Sequence, residues 1–184
     1  MPTNVRKFKT NRDIKQAFIQ LLSEKSFQKI TIDNICETAL ISRSTFYSHF
    51  VDKYTLLDQI VSEYTRLFTI DVDQRFKQVE EQGQDPSDIS FVEIHRNLEN
   101  HRHEITVLFD VHEPGMDLFS NYRNFLIEHW SQFLNEHHYT DPLHIEFIAK
   151  VNTAITLEII QWTLQHSVDQ TALEQVKTTF KRYA

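Results

Sequence analysis

Very little in this chain punctuates it. Two glycines and four prolines among 184 residues leave few points where the backbone must turn sharply or a helix must stop, so long helices with short connections are expected. Alternating runs of Val, Ile and Thr are missing as well, which argues against a sheet. Cys36 is the single cysteine, so no intramolecular disulfide can form and a reducing compartment suits the chain. No stretch approaches the ~18 uninterrupted apolar residues of a membrane span, and the charged amino terminus is not followed by an apolar core. A cytoplasmic protein without membrane attachment is therefore expected. The chain also lacks a glycine-rich phosphate loop, a nucleophile elbow, paired cysteines and a His-Glu-x-x-His run. No catalytic constellation is written locally, so neither an enzyme nor a cofactor is expected.

An excess of positive charge is missing too, until the chain is divided. The net charge is −7 overall, yet residues 1 to 53 hold nine Lys/Arg against five Asp/Glu, a balance of +4, while 54 to 184 hold ten against twenty-one, a balance of −11. Attraction to phosphate is local and screened beyond about 8 to 10 Å. A basic head can therefore bind a polyanion while an acidic body is kept off it. Arg6, Lys7 and Lys9 precede the predicted first helix and suit either a short arm on a nucleic-acid backbone or a solvated tail.

What the head contains is written in Ile30 to Lys53, ITIDNICETALISRSTFYSHFVDK. Thr31 can cap a helix running to about Thr38, with Ile32, Ile35, Cys36 and Ala39 on one face. This places Cys36 as a small core residue. Ser42 can cap a second helix that turns Phe46 and Phe50 inward and leaves Arg43, Ser44, Thr45, Tyr47 and His49 outward or on its flanks. So short a helix needs bracing. Ile14, Ala17, Phe18, Leu21 and Leu22 of a helix over Asn11 to Leu22 supply one apolar face, and Leu56, Leu57 and Ile60 supply another. Three helices with the third presented outward make the helix-turn-helix plan.

Ser42 to Phe50, followed by Asp52-Lys53 and preceded by Thr-Ile-x-x-Ile, resembles the recognition helix and following helix start of the tetracycline-repressor-like (TetR) family of bacterial transcription regulators. The resemblance runs from about Asn11 to Leu57. It implies contacts to phosphates or bases from Thr31, Arg43, Thr45, Tyr47, His49 and Lys53, with Ser44 in the same exposed set. By its bidentate fork Arg43 suits guanine. Tyr47 and Lys53 suit phosphates, as does Thr31 through its hydroxyl or the helix start. His49 suits either a phosphate or packing at the helix end. Leu40 stands where many members of the family have glycine, and a left-handed backbone there would cost on the order of 1 kcal/mol or more, so a reshaped turn is expected. Asp33, if it faced a duplex, would repel it.

Turn signals at Gln82 to Pro86, His112 to Gly115, Thr140 to Pro142 and Ser167 to Gln170 divide the body into helices over about 52 to 81 (with a break near Phe68 to Asp71), 88 to 111, 116 to 138, 142 to 166 and 171 to 182. Phe91, Ile94, Leu98, Ile105 and Leu108 make a single apolar face, as do Leu173, Val176, Phe180 and Tyr183. The 142 to 166 helix differs. Ile145, Ile148, Ile155, Ile159 and Trp162 form one stripe, and Phe147, Val151, Ala154, Leu157 and Leu164 cover another side. A helix apolar on two sides needs two partners, either its own body and a second copy of the chain or a place at the centre of a monomer. The resemblance implies the first, a homodimer formed with the 171 to 182 helix and reading an inverted repeat.

The resemblance also implies an effector pocket in the body and release of operator DNA by a tilt of the 52 to 81 helix. His101, Phe109, Phe119, Tyr122, Trp130 and Trp162 are its candidate lining, suited to a flat apolar ligand, although aromatic stripes at helical spacing also serve as core. His95, Glu99 and His103 are four apart on one predicted helix, but a solvated polar face accounts for them and no metal is expected. His137, His138 and His144 gather at a helix end. The chain thus reads as an all-α protein. Residues 1 to 53 form a helix-turn-helix DNA-binding domain, and 54 to 184 form a helical regulatory and dimerisation domain. The expected function is a repressor of transcription released by a small molecule, with activation, control by a partner, or a helical interaction protein that has lost DNA binding as alternatives.

Overall fold

The computed structural model describes residues 2–82, 98, 100–137, 139–166, 171 and 175. In chain order these give α1 (Pro2–Glu24), a 3-10 turn (Phe27–Lys29), α2 (Ile32–Thr38), α3 (Arg43–Tyr47), α4 (Lys53–Glu81), α5 (Arg102–Phe109), α6 (Leu118–Glu136) and α7 (Pro142–Gln165). Among the described residues the only strand-like pairing is an isolated bridge between Glu113 and Met116. The all-helical expectation holds.

The helices follow from local chemistry. Thr31 caps α2 reciprocally with Asn34, each backbone N–H donating to the other's side-chain oxygen at 3.2 Å. Ser42 Oγ accepts the Thr45 N–H at 3.1 Å to start α3, and Asp52 accepts from the Thr55 N–H at 2.7 Å at the start of α4. The Asp52 carboxyl is accordingly held below its usual range, first by that backbone bond. Pro142 sits in the first turn of α7 behind the cap Asp141, where a missing N–H costs nothing.

Three local expectations need correction. The first helix starts at Pro2, so Arg6, Lys7 and Lys9 lie on exposed helical positions of α1 and not in a separate arm. α4 is unbroken through Phe68 to Asp71, because Phe68, Val72 and Phe76 keep a four-residue rhythm of buried side chains. The turn after α2 is not reshaped. Leu40 adopts φ +53°, and the Leu40 and Ile41 N–H groups close on the carbonyls of Glu37 (3.3 Å) and Cys36 (3.0 Å). Those two bonds make a Schellman ending that normally takes glycine, and Leu40, at 92 % exposure, points into solvent where its bulk meets nothing.

The described chain divides into two compact units, Met1–Tyr64 with Val107–Leu118, and Thr65–Thr106 with Phe119–Ala184. The first extends past residue 53 because Leu56, Leu57, Ile60 and Val61 of α4 are buried together with Ile14, Phe18, Ile35, Phe46 and Phe50. Cys36 is buried, and burial raises its thiol above the ordinary value, which leaves an inert core residue. In the second unit, Phe68 stacks on Tyr122 at 3.8 Å, and Phe76 meets His129, Trp130 and Phe133 edge-on. Arg102 donates to the carbonyls of Leu164 and His166, at 3.3 and 3.1 Å, closing the carboxyl end of α7.

α7 is two-sided. Ile145, Ala149, Leu157, Ile159, Ile160 and Leu164 are buried, whereas Leu143, Phe147, Val151, Ala154 and Trp162 are exposed. Several expectations fall outside the described residues: the 83 to 97 segment with Phe91 and Ile94, His95 and Glu99 of the histidine run, His138, and the apolar face of the 171 to 182 helix. No group of three His, Cys, Asp or Glu able to hold a metal ion occurs among the described residues. No described helix is long and apolar enough to cross a membrane.

Candidate nucleic-acid interface

α3 has five residues, too few to persist alone. It is held from behind by Phe46 (0 % exposed) and Phe50 (3 %), whose rings lie 5.9 Å apart. With those two fixed inward, the helical repeat leaves Arg43, Ser44 and Tyr47 exposed and Thr45 and His49 half-buried on the flanks. Ser42 Oγ lies 2.8 Å from Ser44 Oγ and 2.9 Å from Thr45 Oγ1, so the first turn of α3 carries a small hydroxyl network. Thr31 is exposed on the neighbouring cap. Its oxygen accepts from Asn34, which leaves its O–H to donate outward.

Arg43 is not free. Its Nη1 lies 3.2 Å from Asp33 Oδ1 and 3.4 Å from Oδ2, bridging α3 to the first turn of α2. The guanidinium is held even further above its ordinary value, first by a hydrogen bond with Tyr47 and then by Asp33. Arg43 and Asp33 therefore form one exposed pair across both helices, on the same exposed surface as Tyr47. Asp33 thus faces the recognition residues, and sequence reasoning missed that its carboxylate pairs with Arg43. Spacing gives no signal for a contact between residues ten apart on different helices.

His49 sits lower in the site. Burial, and then the positive charge of Lys7 on α1, push its imidazole below the ordinary 6.5, so it is neutral near pH 7 and can donate a hydrogen bond without carrying charge. Lys53 is placed differently from a free phosphate donor. Its Nζ donates to the carbonyls of Phe27 (2.9 Å), Ile30 (2.9 Å) and Gln28 (3.3 Å) and stands 4.5 Å above the Phe27 ring. An ammonium has three N–H donors, and all three are occupied. Burial lowers its pKa from the usual lysine value, against an opposing effect of Glu113. Lys53 braces the 3-10 turn that leads into α2.

The six candidate pocket residues fall in both units. Phe109 belongs to the first unit and the other five to the second. Tyr122 and Trp130 are core, buried to 1 % and 7 %. Trp162 is 40 % exposed on the outer face of α7 and stacks on His166 at 4.9 Å. His101 and Phe119 are half-buried. The first unit has a cleft of about 160 Å³ that includes Leu22, Lys25, Phe27, Val107, Val111 and His112 in its wall and none of the six.

Residues 15–60 match the profile described as bacterial regulatory proteins, tetR family. An HTH-type transcriptional regulator of Bacillus subtilis (strain 168), YxbF, is 30% identical over 50 residues, 27% of this chain. The match spans only 13% of the length of that relative. Among solved structures, a TetR transcriptional regulator from Streptococcus agalactiae 2603V shares the fold with TM-score 0.63 at 24% identity, covering 98% of this chain and 97% of that one. NalD, the secondary repressor of the MexAB-OprM multidrug efflux pump in Pseudomonas aeruginosa, has TM-score 0.64 at 18% identity over 93% and 96% of the two chains. These two likenesses are of fold, and the head match is one of sequence. The profile falls on the very helices that present Arg43 and Tyr47, so residues 15–60 are similar in sequence to the tetR family of bacterial regulatory proteins, and the helical fold is shared with these solved structures along nearly the whole length.

Proposed function

We propose that this protein binds operator DNA as a two-fold homodimer and represses transcription until a small apolar or aromatic molecule releases it. The observation that carries the DNA reading is α3 itself, a capped, braced helix whose outward side chains are Arg43, Ser44 and Tyr47 while Phe46 and Phe50 are buried behind it. Arg43 reads a guanine edge, Tyr47 and Thr31 hold phosphates, and Ser44, Thr45 and His49 contribute hydrogen bonds. Lys53 acts from behind by keeping the turn before α2 in place. The excess of positive charge over residues 1 to 53 supports this assignment.

The homodimer is supported by the exposed apolar side of α7, where Leu143, Phe147, Val151, Ala154 and Trp162 would otherwise stay in water. Two-fold symmetry makes the site an inverted repeat with half-sites about 34 Å apart, one turn of duplex. Repression is favoured by the likeness to NalD, a repressor of similar fold. The effector reading rests on the likeness of residues 15–60 to the tetR family, with His101, Phe109, Phe119, Tyr122, Trp130 and Trp162 as its candidate lining. A regulator of this kind is non-enzymatic and cytoplasmic.

Selection of bound duplexes from a random pool, followed by binding over a salt series, tests the proposal. Enrichment of an inverted repeat with steep salt dependence is the expected result. Binding that shows neither overturns it. A thermal-shift screen with lipophilic cations, acyl thioesters and quinones tests the effector, and unchanged melting throughout would remove it.

A further inference from the structure

We infer that Asp33 is a positioning residue for sequence readout: it tethers Arg43 so that the guanidinium meets a base edge instead of settling on a phosphate. The inference rests on the DNA reading of α3 and deepens it.

An exposed arginine beside a duplex has two electrostatic choices. Phosphate oxygens are numerous and reachable from many rotamers, and they carry no sequence information. A guanine edge offers two acceptors in one geometry and rewards an arginine already oriented. Asp33 biases that choice in two ways. Both of its carboxylate oxygens lie on the same nitrogen, Nη1, at 3.2 and 3.4 Å, so Nη2 and Nε stay outside the ion pair. The guanidinium is thereby anchored to Asp33 through Nη1 alone. The carboxylate also sets a negative charge beside Arg43, which repels any phosphate approaching that spot. The ion pair joins the first turn of α2 to the first residue of α3.

Chain geometry supports this placement. Asp33 lies in the first turn of α2, fixed by the Thr31–Asn34 reciprocal cap, and Arg43 is the first residue of α3, fixed by the Ser42 cap. Neither backbone can drift without breaking a cap. The pair is exposed, with side-chain accessibilities of 61% for Arg43 and 58% for Asp33, so fold stability owes it little. An acidic residue on the exposed surface of a basic head opposes general affinity for DNA. Its use is discrimination.

The test compares wild-type protein with Asp33→Asn, Arg43→Ala and the double variant, by random-pool selection and by titration of an unrelated duplex. Asp33→Asn is expected to keep the inverted repeat, to lose about tenfold of the guanine preference at one position in each half-site, and to bind the unrelated duplex more tightly. In the Arg43→Ala background the same change should alter no base preference. A stabilising role alone would move melting temperature and all sequences together, which circular dichroism melts of each variant reveal. Asp33→Ser, which keeps a hydroxyl near the start of α2 without charge, should repeat the result. If wild type enriches a repeat and Asp33→Asn keeps the full guanine preference, the inference falls while the DNA reading stands. If wild type enriches no repeat, both fall.

Discussion

Replacing Lys53 with Met removes the ammonium while keeping an aliphatic stem of similar length. The loss can be worked from its contacts. Three carbonyls, those of Phe27, Gln28 and Ile30, lose a charged donor at 2.9 to 3.3 Å. A hydrogen bond to a charged group contributes about 1.5–3 kcal/mol net, and a cation over an aromatic face about 0.5–1 kcal/mol where exposed. Lys53 is half-buried, and water can replace part of what the carbonyls lose. A net destabilisation of roughly 2–3 kcal/mol is therefore expected, and the melting temperature should fall by roughly 5–10 °C for a chain of this length. Urea unfolding followed by circular dichroism measures the first, and duplex binding over a salt series, taken well below the melting point, measures a second quantity. Since the ammonium is committed inward, the salt slope should not change. A variant of unchanged stability whose slope flattens by about one would return Lys53 to the phosphate backbone and refute the bracing role.

Leu40→Gly should stabilise the head. Leucine at φ +53° carries about 1–2 kcal/mol of steric cost, of which the added freedom of glycine in the unfolded chain takes back about 0.4–1; the urea midpoint should rise at constant m-value, and a lowered midpoint would contradict the strain. Arg43→Ala should cost ~1–3 kcal/mol on the selected duplex and relax one base position, whereas equal weakening on every sequence would reassign Arg43 to the backbone. Phe147→Glu, at a position 66% exposed within the chain, should leave helicity intact and shift sedimentation from dimer to monomer; an unchanged dimer would move the interface elsewhere. His129 is held below the ordinary 6.5 by burial between Phe76 and Phe125, against the opposing charges of Asp73, Glu136 and Glu80. The unfolded chain therefore takes up its proton first, so the contribution is complete above 6.5 and is lost as pH falls through that value toward the folded one. His129→Phe should flatten the fall in urea midpoint between about pH 7.5 and about pH 5, and parallel profiles for the two proteins would exclude His129 as a source.

The all-helical class, the starts of α2 and α3 and the two apolar sides of α7 were legible in the residues, because each is decided within one or two turns of chain, whereas the start of α1 at Pro2 and the unbroken course of α4 were not. Thr31 and Ser42 cap through oxygens that reach only three residues ahead, and Phe46 and Phe50 must share a face at any helical spacing. Other features arise only when helices pack. Lys53 reaches carbonyls 23 to 26 residues earlier, Asp33 meets Arg43 across ten, and the six aromatic and histidine candidates are divided between two units. Periodicity states which side of a helix is apolar, but which donor meets which acceptor depends on the crossing of two helices. The amino acids thus determined that a braced helix would be presented, and tertiary structure alone decided that its arginine would be tethered and its neighbouring lysine turned inward.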